Sequence, residues 1–267
     1  MSDTASTAET EPQTIDEAGV YGPDDGILVV DNLVKRFGGL VAVDGLSFAI
    51  QEQEIVGFIG PNGAGKSTTF NCITGIYPVT SGTIWYKGED ITDAKLHHLI
   101  DRGLARTFQS FRPLNDRNVV ENVALAHSSG RLLTASGLMG KTTEEAAKIC
   151  ESVGLGDSLY RMPDELPHAG ILRLELARAL ATDPDLLLID EPFAGLTDLE
   201  VQRISDLLLE KREQGLTMIV VDHNMRGLLS LIDRAFVINF GSKIAEGTPE
   251  EIREDKGVQD AYLGGEL

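Results

Sequence analysis

One nine-residue segment, GPNGAGKST at positions 60–68, constrains this chain more than any other part of its sequence. A hydrophobic run at residues 55–59 precedes it and a helical pattern follows it, so it lies in a strand–loop–helix unit. In that context the pattern G-x-x-x-x-G-K-[ST] forms a loop whose backbone N–H groups converge on phosphate. The residues that we assign to a nucleotide are Gly60, Pro61, Asn62, Gly63, Ala64, Gly65, Lys66, Ser67 and Thr68.

The side chains and glycines of this segment have distinct expected roles. We expect Gly60, Gly63 and Gly65 to adopt backbone conformations that are closed to other residues. Lys66 should reach the β- and γ-phosphates, and the hydroxyl of Ser67 should hold Mg²⁺. The N-terminus of the next helix should face the anion. The segment therefore predicts a nucleoside triphosphate as ligand, together with magnesium.

Composition and charge exclude several other classes of protein. The net charge is −19, and the first 26 residues hold seven acidic side chains but no Lys or Arg, which predicts a disordered acidic tail. The remaining 35 acidic against 23 basic side chains disfavour nucleic acid as the main partner, because binding its backbone requires clustered positive charge. This surface suits either simple solubility or a high-salt cytoplasm. No segment approaches the roughly 18 uninterrupted apolar residues of a membrane span.

The order of predicted elements indicates an α/β fold. Residues 27–50 and 83–87 favour strands, whereas residues 93–165 favour helices, with a Ser-, Gly- and Thr-rich loop over 128–143. After residue 165, helices alternate with buried strands, and this alternation implies a parallel sheet flanked by helices. We therefore predict a phosphate-loop NTPase (RecA-like) core with a parallel sheet, an antiparallel β-subdomain and a helical subdomain over about 93–165.

A second part of the site is predicted where a buried strand, residues 186–190, ends in two carboxylates. Ligands of parallel sheets bind beyond the carboxyl ends of the strands, which is where Asp190 and Glu191 emerge. Asp190 is expected to hold Mg²⁺ through its water shell. Glu191 is then free to polarise an attacking water molecule as a general base.

Taken in order, these motifs resemble those of the ATP-binding cassette (ABC) family, over residues 27 to about 265. The segment 106–109 (RTFQ) is similar to the family's Q-loop, residues 194–198 to its D-loop, and His223 to its switch histidine. The resemblance implies that Gln109 senses Mg²⁺ and the γ-phosphate, that His223 touches the γ-phosphate and that Phe37 stacks on adenine. It thus implies a catalytic set of Glu191, His223 and Gln109, and a metal-binding set of Ser67, Gln109 and Asp190.

The chain departs from the family at its signature motif. In place of L-S-G-G-Q it has Leu166, Pro167, His168, Ala169 and Gly170. Pro167 offers neither a hydroxyl nor an N–H group to a phosphate on a second subunit, whereas the helix N-terminus and His168 still supply donors. Activation across a dimer is therefore expected to be weakened or differently arranged, while the other catalytic residues favour retained hydrolysis.

Within the family, the resemblance points to the ATPases of branched-chain amino acid importers. It rests on residues 35–39, 70–75, 106–109, 119–123 and 261–264. It implies a peripheral subunit on the cytoplasmic face of the cell membrane that drives uptake of branched-chain amino acids or similar small solutes. The implied partners are a second ABC ATPase subunit, alike or different, two transmembrane permease subunits and, indirectly, an external solute-binding protein.

Several other functions remain open from the sequence. ATPases of urea and short-chain amide importers and of a lipopolysaccharide export system have similar sequences. The altered signature suits an ATP-binding regulatory subunit with weak hydrolysis. A soluble cassette ATPase acting on DNA, ribosomes or iron–sulfur assembly is disfavoured, because the chain has neither a long coiled coil nor a second cassette. A GTPase is disfavoured because no N/T-K-x-D element is present.

Overall fold

The computed structural model describes residues 21–107, 113–128 and 138–261, and within these the side chains of 127, 128 and 138–142 are left aside. The greater part of the predicted acidic tail, and Gln109, lie outside the described residues. The strands are β1 (Leu28–Phe37), β2 (Leu40–Ile50), β3 (Ile55–Ile59), β4 (Ser81–Tyr86), β5 (Glu89–Asp90), β6 (Leu104–Arg106), β7 (Leu186–Asp190), β8 (Thr217–Val221), β9 (Arg234–Asn239) and β10 (Ser242–Gly247). The α-helices are α1 (Lys66–Ile73), α2 (Leu96–Asp101), α3 (Val119–Ser128), α4 (Leu138–Ser152), α5 (His168–Leu180), α6 (Asp198–Glu213), α7 (Met225–Leu231), α8 (Pro249–Glu254) and α9 (Lys256–Ala261).

The strands form two sheets, in agreement with the predicted α/β class. In the described residues a six-stranded sheet has the order β10-β9-β3-β8-β7-β6, in which β10 pairs antiparallel to β9 and the other neighbours pair in parallel. A four-stranded antiparallel sheet has the order β2-β1-β4-β5. The phosphate-binding segment follows β3, which lies in the middle of the larger sheet, so the predicted site is at the carboxyl edge of its central strands.

The three central strands β3, β7 and β8 are buried along their whole length, as expected for a sheet covered on both faces. Alternate residues of one strand face different layers, since side chains alternate across a sheet. In β7, Leu187 and Ile189 pack in a cluster with helices α3 to α7, whereas Leu186 and Leu188 pack with α1 and the antiparallel sheet. The larger sheet is therefore the middle layer between the helices and the smaller sheet.

One short strand was not indicated by the sequence, and one local prediction was wrong. The short strand β6 lies within the stretch expected to be mainly helical, and it pairs in parallel with β7. Three residues are too few to show a periodicity, so only the neighbouring strand defines β6. Helix α4 already begins at Leu138, inside the loop predicted over 128–143. The i, i+4 pair of buried residues Ala146 and Cys150 stabilises that helix against the weak propensities of its first turns.

No helix in the described parts of the chain combines the length and the hydrophobicity that a membrane crossing requires. The two cysteines, Cys72 and Cys150, are free and buried, and each packs in one of the two hydrophobic clusters. Both therefore act as small core residues.

Candidate functional site

The phosphate-binding segment joins β3 to α1, and its glycines are required for two different physical reasons. Gly63 and Gly65 have φ values of 81° and 109°, which only glycine adopts without strain. Gly60 does not have a positive φ, so the expectation of an unusual backbone conformation there was wrong. A side chain is excluded at Gly60 by close packing instead, because an added Cβ would lie 2.4 Å from the carbonyl oxygen of Ile238.

A neighbouring turn holds this segment in place, and strand β2 in turn holds that turn. The N–H of Gly241, in the turn between β9 and β10, donates to the carbonyl of Ala64 at 2.8 Å. The carbonyl of Gly241 in turn accepts from the N–H of Asp44 in β2 at 2.9 Å. The segment is therefore fixed between two hairpins before any ligand binds, which favours pre-organised donors for phosphate.

Lys66 is buried at the start of α1, and its ammonium donates to carbonyl oxygens of its own loop. The acceptors are Gly60 at 2.5 Å and Pro61 at 3.1 Å. Burial lowers the pKa of Lys66, while the carboxylates of Asp190 and Glu191 oppose that shift. Because β3 and β7 both pair in parallel with β8, their carboxyl ends lie at the same edge of the sheet, and Lys66 follows one of them as the two acids follow the other. Ser67 beside it is exposed and available to a ligand.

Asp190 is buried at the carboxyl end of β7 and is held through both its side chain and its backbone. The guanidinium of Arg106 donates to its Oδ2 at 3.3 Å, and its own N–H donates to the hydroxyl of Thr107 at 2.9 Å. Burial raises the pKa of Asp190, and the adjacent Arg106 opposes that rise. The predicted metal-binding carboxylate therefore carries a contact that sequence reasoning missed, because Arg106 precedes it by more than 80 positions.

Glu191 and His223 lie side by side just beyond β7 and β8. The Nε2 of His223 is 3.5 Å from the Oε1 of Glu191. Glu191 has a φ of 56°, a left-handed conformation that is uncommon for a residue other than glycine. Its N–H donates to the carbonyl of Val221 at 2.7 Å, so a backbone contact with β8 stabilises the strained residue. Strain of this kind concentrates at functional sites.

Asp222 links the loop after Glu191 to the loop that carries His223. Its buried carboxylate accepts from the N–H of Phe193 at 2.8 Å and from the N–H of Asn224 at 2.6 Å. Burial raises the pKa of Asp222, and these two hydrogen bonds oppose the rise. An open cleft of about 360 Å³ borders these loops. Sequence reasoning passed over Asp222, although its place beside His223 at a strand end was a usable indication.

Phe37 ends β1, in the hairpin whose second strand contacts the phosphate-binding segment. Its ring packs edge-on against Tyr77 with centroids 5.3 Å apart, and the ammonium of Lys35 lies 4.8 Å from its centroid. Phe37 is still 42% exposed, so ring surface remains available to a planar ligand.

The segment 166–170 lies at the start of α5, with Pro167 as the residue preceding the helix. The N–H groups of Gly170 and Ile171 donate to the carbonyl of Pro167, and no side chain caps the helix. His168 is exposed and lies against the loop after β7, since a Cβ added to Gly195 would be 3.2 Å from its ring. The structure thus places this segment beside the predicted D-loop of the same subunit, a contact that the sequence did not indicate.

Two protein-family models match parts of this chain. The family model of ABC transporters matches residues 43–194, and that of the branched-chain amino acid ATP-binding cassette transporter matches residues 242–267. The high-affinity branched-chain amino acid transport ATP-binding proteins LivG of Salmonella typhimurium and BraF of Pseudomonas aeruginosa are 38% and 39% identical to the chain. Each match covers 89% of this chain and 98% of the relative.

Solved structures show the same fold. An ATP-binding cassette of an ABC transporter in its ADP conformation has a TM-score of 0.80 at 31% identity, over 90% of this chain and 99% of the other. A dimeric post-hydrolysis state of another ATP-binding cassette, bound to ADP and phosphate, has a TM-score of 0.76 at 25% identity. That match covers 83% of this chain and 98% of the other.

Proposed function

This chain belongs to the ATP-binding cassette (ABC) transporter family, and we propose that it is the ATP-hydrolysing subunit of an importer for branched-chain amino acids. The observation that carries the hydrolytic role is the placement of Glu191 and His223 beyond β7 and β8, at the edge of the sheet where β3 ends in the phosphate-binding segment. The match of residues 242–267 and the two named relatives support the substrate class. In this proposal one ABC ATPase domain covers residues 27–265, with a helical subdomain over about 93–165 and an acidic tail before it.

ATP binding is attributed to the segment from Gly60 to Thr68. Its backbone N–H groups and the N-terminus of α1 surround the phosphates, and the ammonium of Lys66 exchanges its carbonyl partners for phosphate oxygens. Mg²⁺ is attributed to the hydroxyl of Ser67 and, through water, to Asp190, with Gln109 as a further predicted contact. One hydroxyl and one carboxylate suit this ion, which keeps several waters and phosphate oxygens when it binds nucleotides.

Hydrolysis is attributed to Glu191, with His223 beside it. A carboxylate within reach of the γ-phosphate accepts a proton from the attacking water and so makes it a better nucleophile. Mg²⁺ held by Ser67 and Asp190 would neutralise charge on the phosphates. In this proposal the imidazole of His223 contacts the γ-phosphate while remaining next to Glu191. Asp222 keeps the two loops at a fixed separation through its two backbone contacts.

The proposed assembly contains a second ABC ATPase, two transmembrane permease subunits and, indirectly, an external solute-binding protein. The dimeric state of the related cassette supports the pairing of two ATPases. In the dimer, the segment from Leu166 to Gly170 faces the nucleotide of the partner subunit. The proposed location is the cytoplasmic face of the membrane, where the chain binds as a peripheral subunit.

Replacing Phe37 by alanine is expected to weaken ATP binding by about 1 kcal/mol, roughly fivefold, because one aromatic stacking surface is lost. Replacement by tryptophan should retain the affinity, since the larger ring also stacks on adenine. Equilibrium titration with a fluorescent ATP analogue measures both variants. Leu40→Ala is the matched control, because Leu40 is the exposed neighbour across the same hairpin. Equal affinities of Phe37→Ala and Leu40→Ala would contradict the stacking role.

An uptake experiment tests the proposed substrate. Cells that lack the gene for this chain should lose high-affinity uptake of labelled leucine, isoleucine and valine, and a plasmid copy should restore it. A copy with Glu191→Gln should not restore it, because transport requires hydrolysis. Retained leucine uptake together with lost urea or amide uptake would instead support the alternative importer class.

An ATP-binding regulatory subunit with weak hydrolysis is the second candidate. The specific observation in its favour is the helix start at Pro167 and His168, which carries neither the serine nor a capping side chain. The steady-state ATPase rate of the purified protein distinguishes the two candidates. A rate that remains at background, with ATP still bound, would favour the regulatory subunit or the need for a partner ATPase with an intact signature.

A further inference from the structure

Arg106 makes a buried set of contacts that joins β7 to the helix after the phosphate-binding segment. Its side chain is 5% exposed and that of Asp190 is 3% exposed. One end of its guanidinium, Nη2, donates to Oδ2 of Asp190 at 3.3 Å. The other end, Nη1, donates to Oδ1 of Asn71 at 2.6 Å and lies 3.4 Å from the hydroxyl of Thr74. A single planar group thus spans the end of β7 and the C-terminal part of α1.

The surroundings of Arg106 fix its orientation. Its guanidinium carbon lies 5.4 Å from the ring centroid of Phe70, which covers one face. The buried carboxylate of Glu175, on α5, adds a second negative charge that interacts with Arg106. The cavity bordering Thr107, Glu175 and Asp190 is about 20 Å³, room for roughly one water molecule. Because the side chains of Arg106 and Asp190 are almost fully buried, bulk solvent screens these charges only weakly.

The proposed metal-binding residues lie on the two elements that Arg106 connects. Ser67 is on α1, the same helix as Asn71, and Asp190 ends β7. A guanidinium is a rigid fork with donors at fixed angles, so it sets a distance between its partners in a way that a flexible ammonium does not. Residues behind the ligands of a metal orient those ligands, and their loss typically weakens metal binding by about 10–100-fold.

We propose that Arg106 is a positioning residue for the magnesium site, holding Asp190 in one orientation and at a fixed distance from the helix that carries Ser67. The inference rests on the proposed roles of Asp190 and Ser67. Arg106 itself does not touch the ion. It acts by keeping the two proposed metal-binding groups, Asp190 and Ser67, in a fixed relative position for binding of the Mg²⁺–nucleotide complex.

The test is the Mg²⁺ dependence of nucleotide affinity, measured by titrating Mg²⁺ into protein with a fluorescent ATP analogue. Arg106→Met should require about 10–100-fold more Mg²⁺ for half-maximal tightening, while its affinity for the analogue in EDTA stays that of the wild type. The Mg²⁺ midpoint of Arg106→Lys should lie between those of the wild type and Arg106→Met, because lysine keeps the positive charge but lacks the planar guanidinium with its fixed donors. Electron paramagnetic resonance with Mn²⁺ provides a second readout that is independent of hydrolysis.

Arg234→Met is the matched control. Arg234 is also ion-paired, with Glu54 and Glu246, and packs over an aromatic ring, that of Phe236. It begins β9, at the end of the sheet opposite the site. The Arg234→Met protein should be destabilised as Arg106→Met is, but its Mg²⁺ midpoint should equal that of the wild type.

Equal Mg²⁺ midpoints for Arg106→Met and Arg234→Met would overturn the proposal. If Arg106→Met does not fold, Asn71→Ala decides, because it removes the second anchor of the guanidinium and leaves the ion pair with Asp190 intact. It should raise the Mg²⁺ midpoint several-fold, and an unchanged midpoint would overturn the proposal. If the nucleotide affinity of the wild-type protein did not depend on Mg²⁺, that result would overturn the proposed metal site and this inference with it.

Discussion

Glu191→Gln is expected to lower the steady-state rate of ATP hydrolysis by about 10²–10⁴-fold, the usual contribution of a general base. The amide has nearly the same shape as the carboxylate but does not accept a proton from water. It can keep the backbone contact with Val221 and the position beside His223, so ATP binding should be almost unchanged. Phosphate release measures the rate, and titration with a fluorescent ATP analogue measures the binding.

The control for this variant is Glu213→Gln, an exposed glutamate at the end of α6. It precedes the amino end of β8, at the edge of the sheet opposite the site. It removes the same charge and should keep the wild-type rate. A Glu191→Gln protein that hydrolyses ATP as fast as Glu213→Gln would remove Glu191 from the proposed mechanism. Loss of both hydrolysis and ATP binding would show that the substitution had disturbed the loop rather than the base.

Gly65→Ala is expected to destabilise the protein by about 3 kcal/mol and to abolish measurable ATP binding. The added Cβ would lie 2.5 Å from the carbonyl oxygen of Ala42, at a φ of 109°. Both the backbone conformation and the contact with the neighbouring hairpin must change. Since that hairpin also holds the segment through Gly241, the phosphate donors would lose their common direction.

Gly63→Ala separates the effect of backbone strain from the effect of the close contact with Ala42. Its φ of 81° is similarly unfavourable for alanine, but an added Cβ would have no atom within 4 Å. We expect a loss of about 1–2 kcal/mol from backbone strain alone. Urea unfolding of both variants gives the two free energies of unfolding. Equal destabilisation by Gly63→Ala and Gly65→Ala would show that the contact with Ala42 contributes nothing.

The sequence by itself determined the parts of this protein whose chemistry lies in consecutive residues. The phosphate-binding segment was recognisable because its strand, glycines, lysine and helix follow one another. The strand 186–190 and the paired acids Asp190 and Glu191 were recognisable because a buried run ends directly in charge. The alternation of helices and strands after residue 165 was strong enough to predict the α/β fold.

Only the tertiary structure decided which distant residues support that site. Arg106 reaches Asp190 because β6 pairs with β7 at the edge of the sheet, an order that no local pattern encodes. Gly60 must be glycine because the carbonyl of Ile238, on another strand, leaves no room for a side chain. The contact of His168 with Gly195 also joins two elements that are remote in sequence. Local sequence fixes backbone conformation and chemistry, whereas contacts between remote elements depend on how all of the layers pack together.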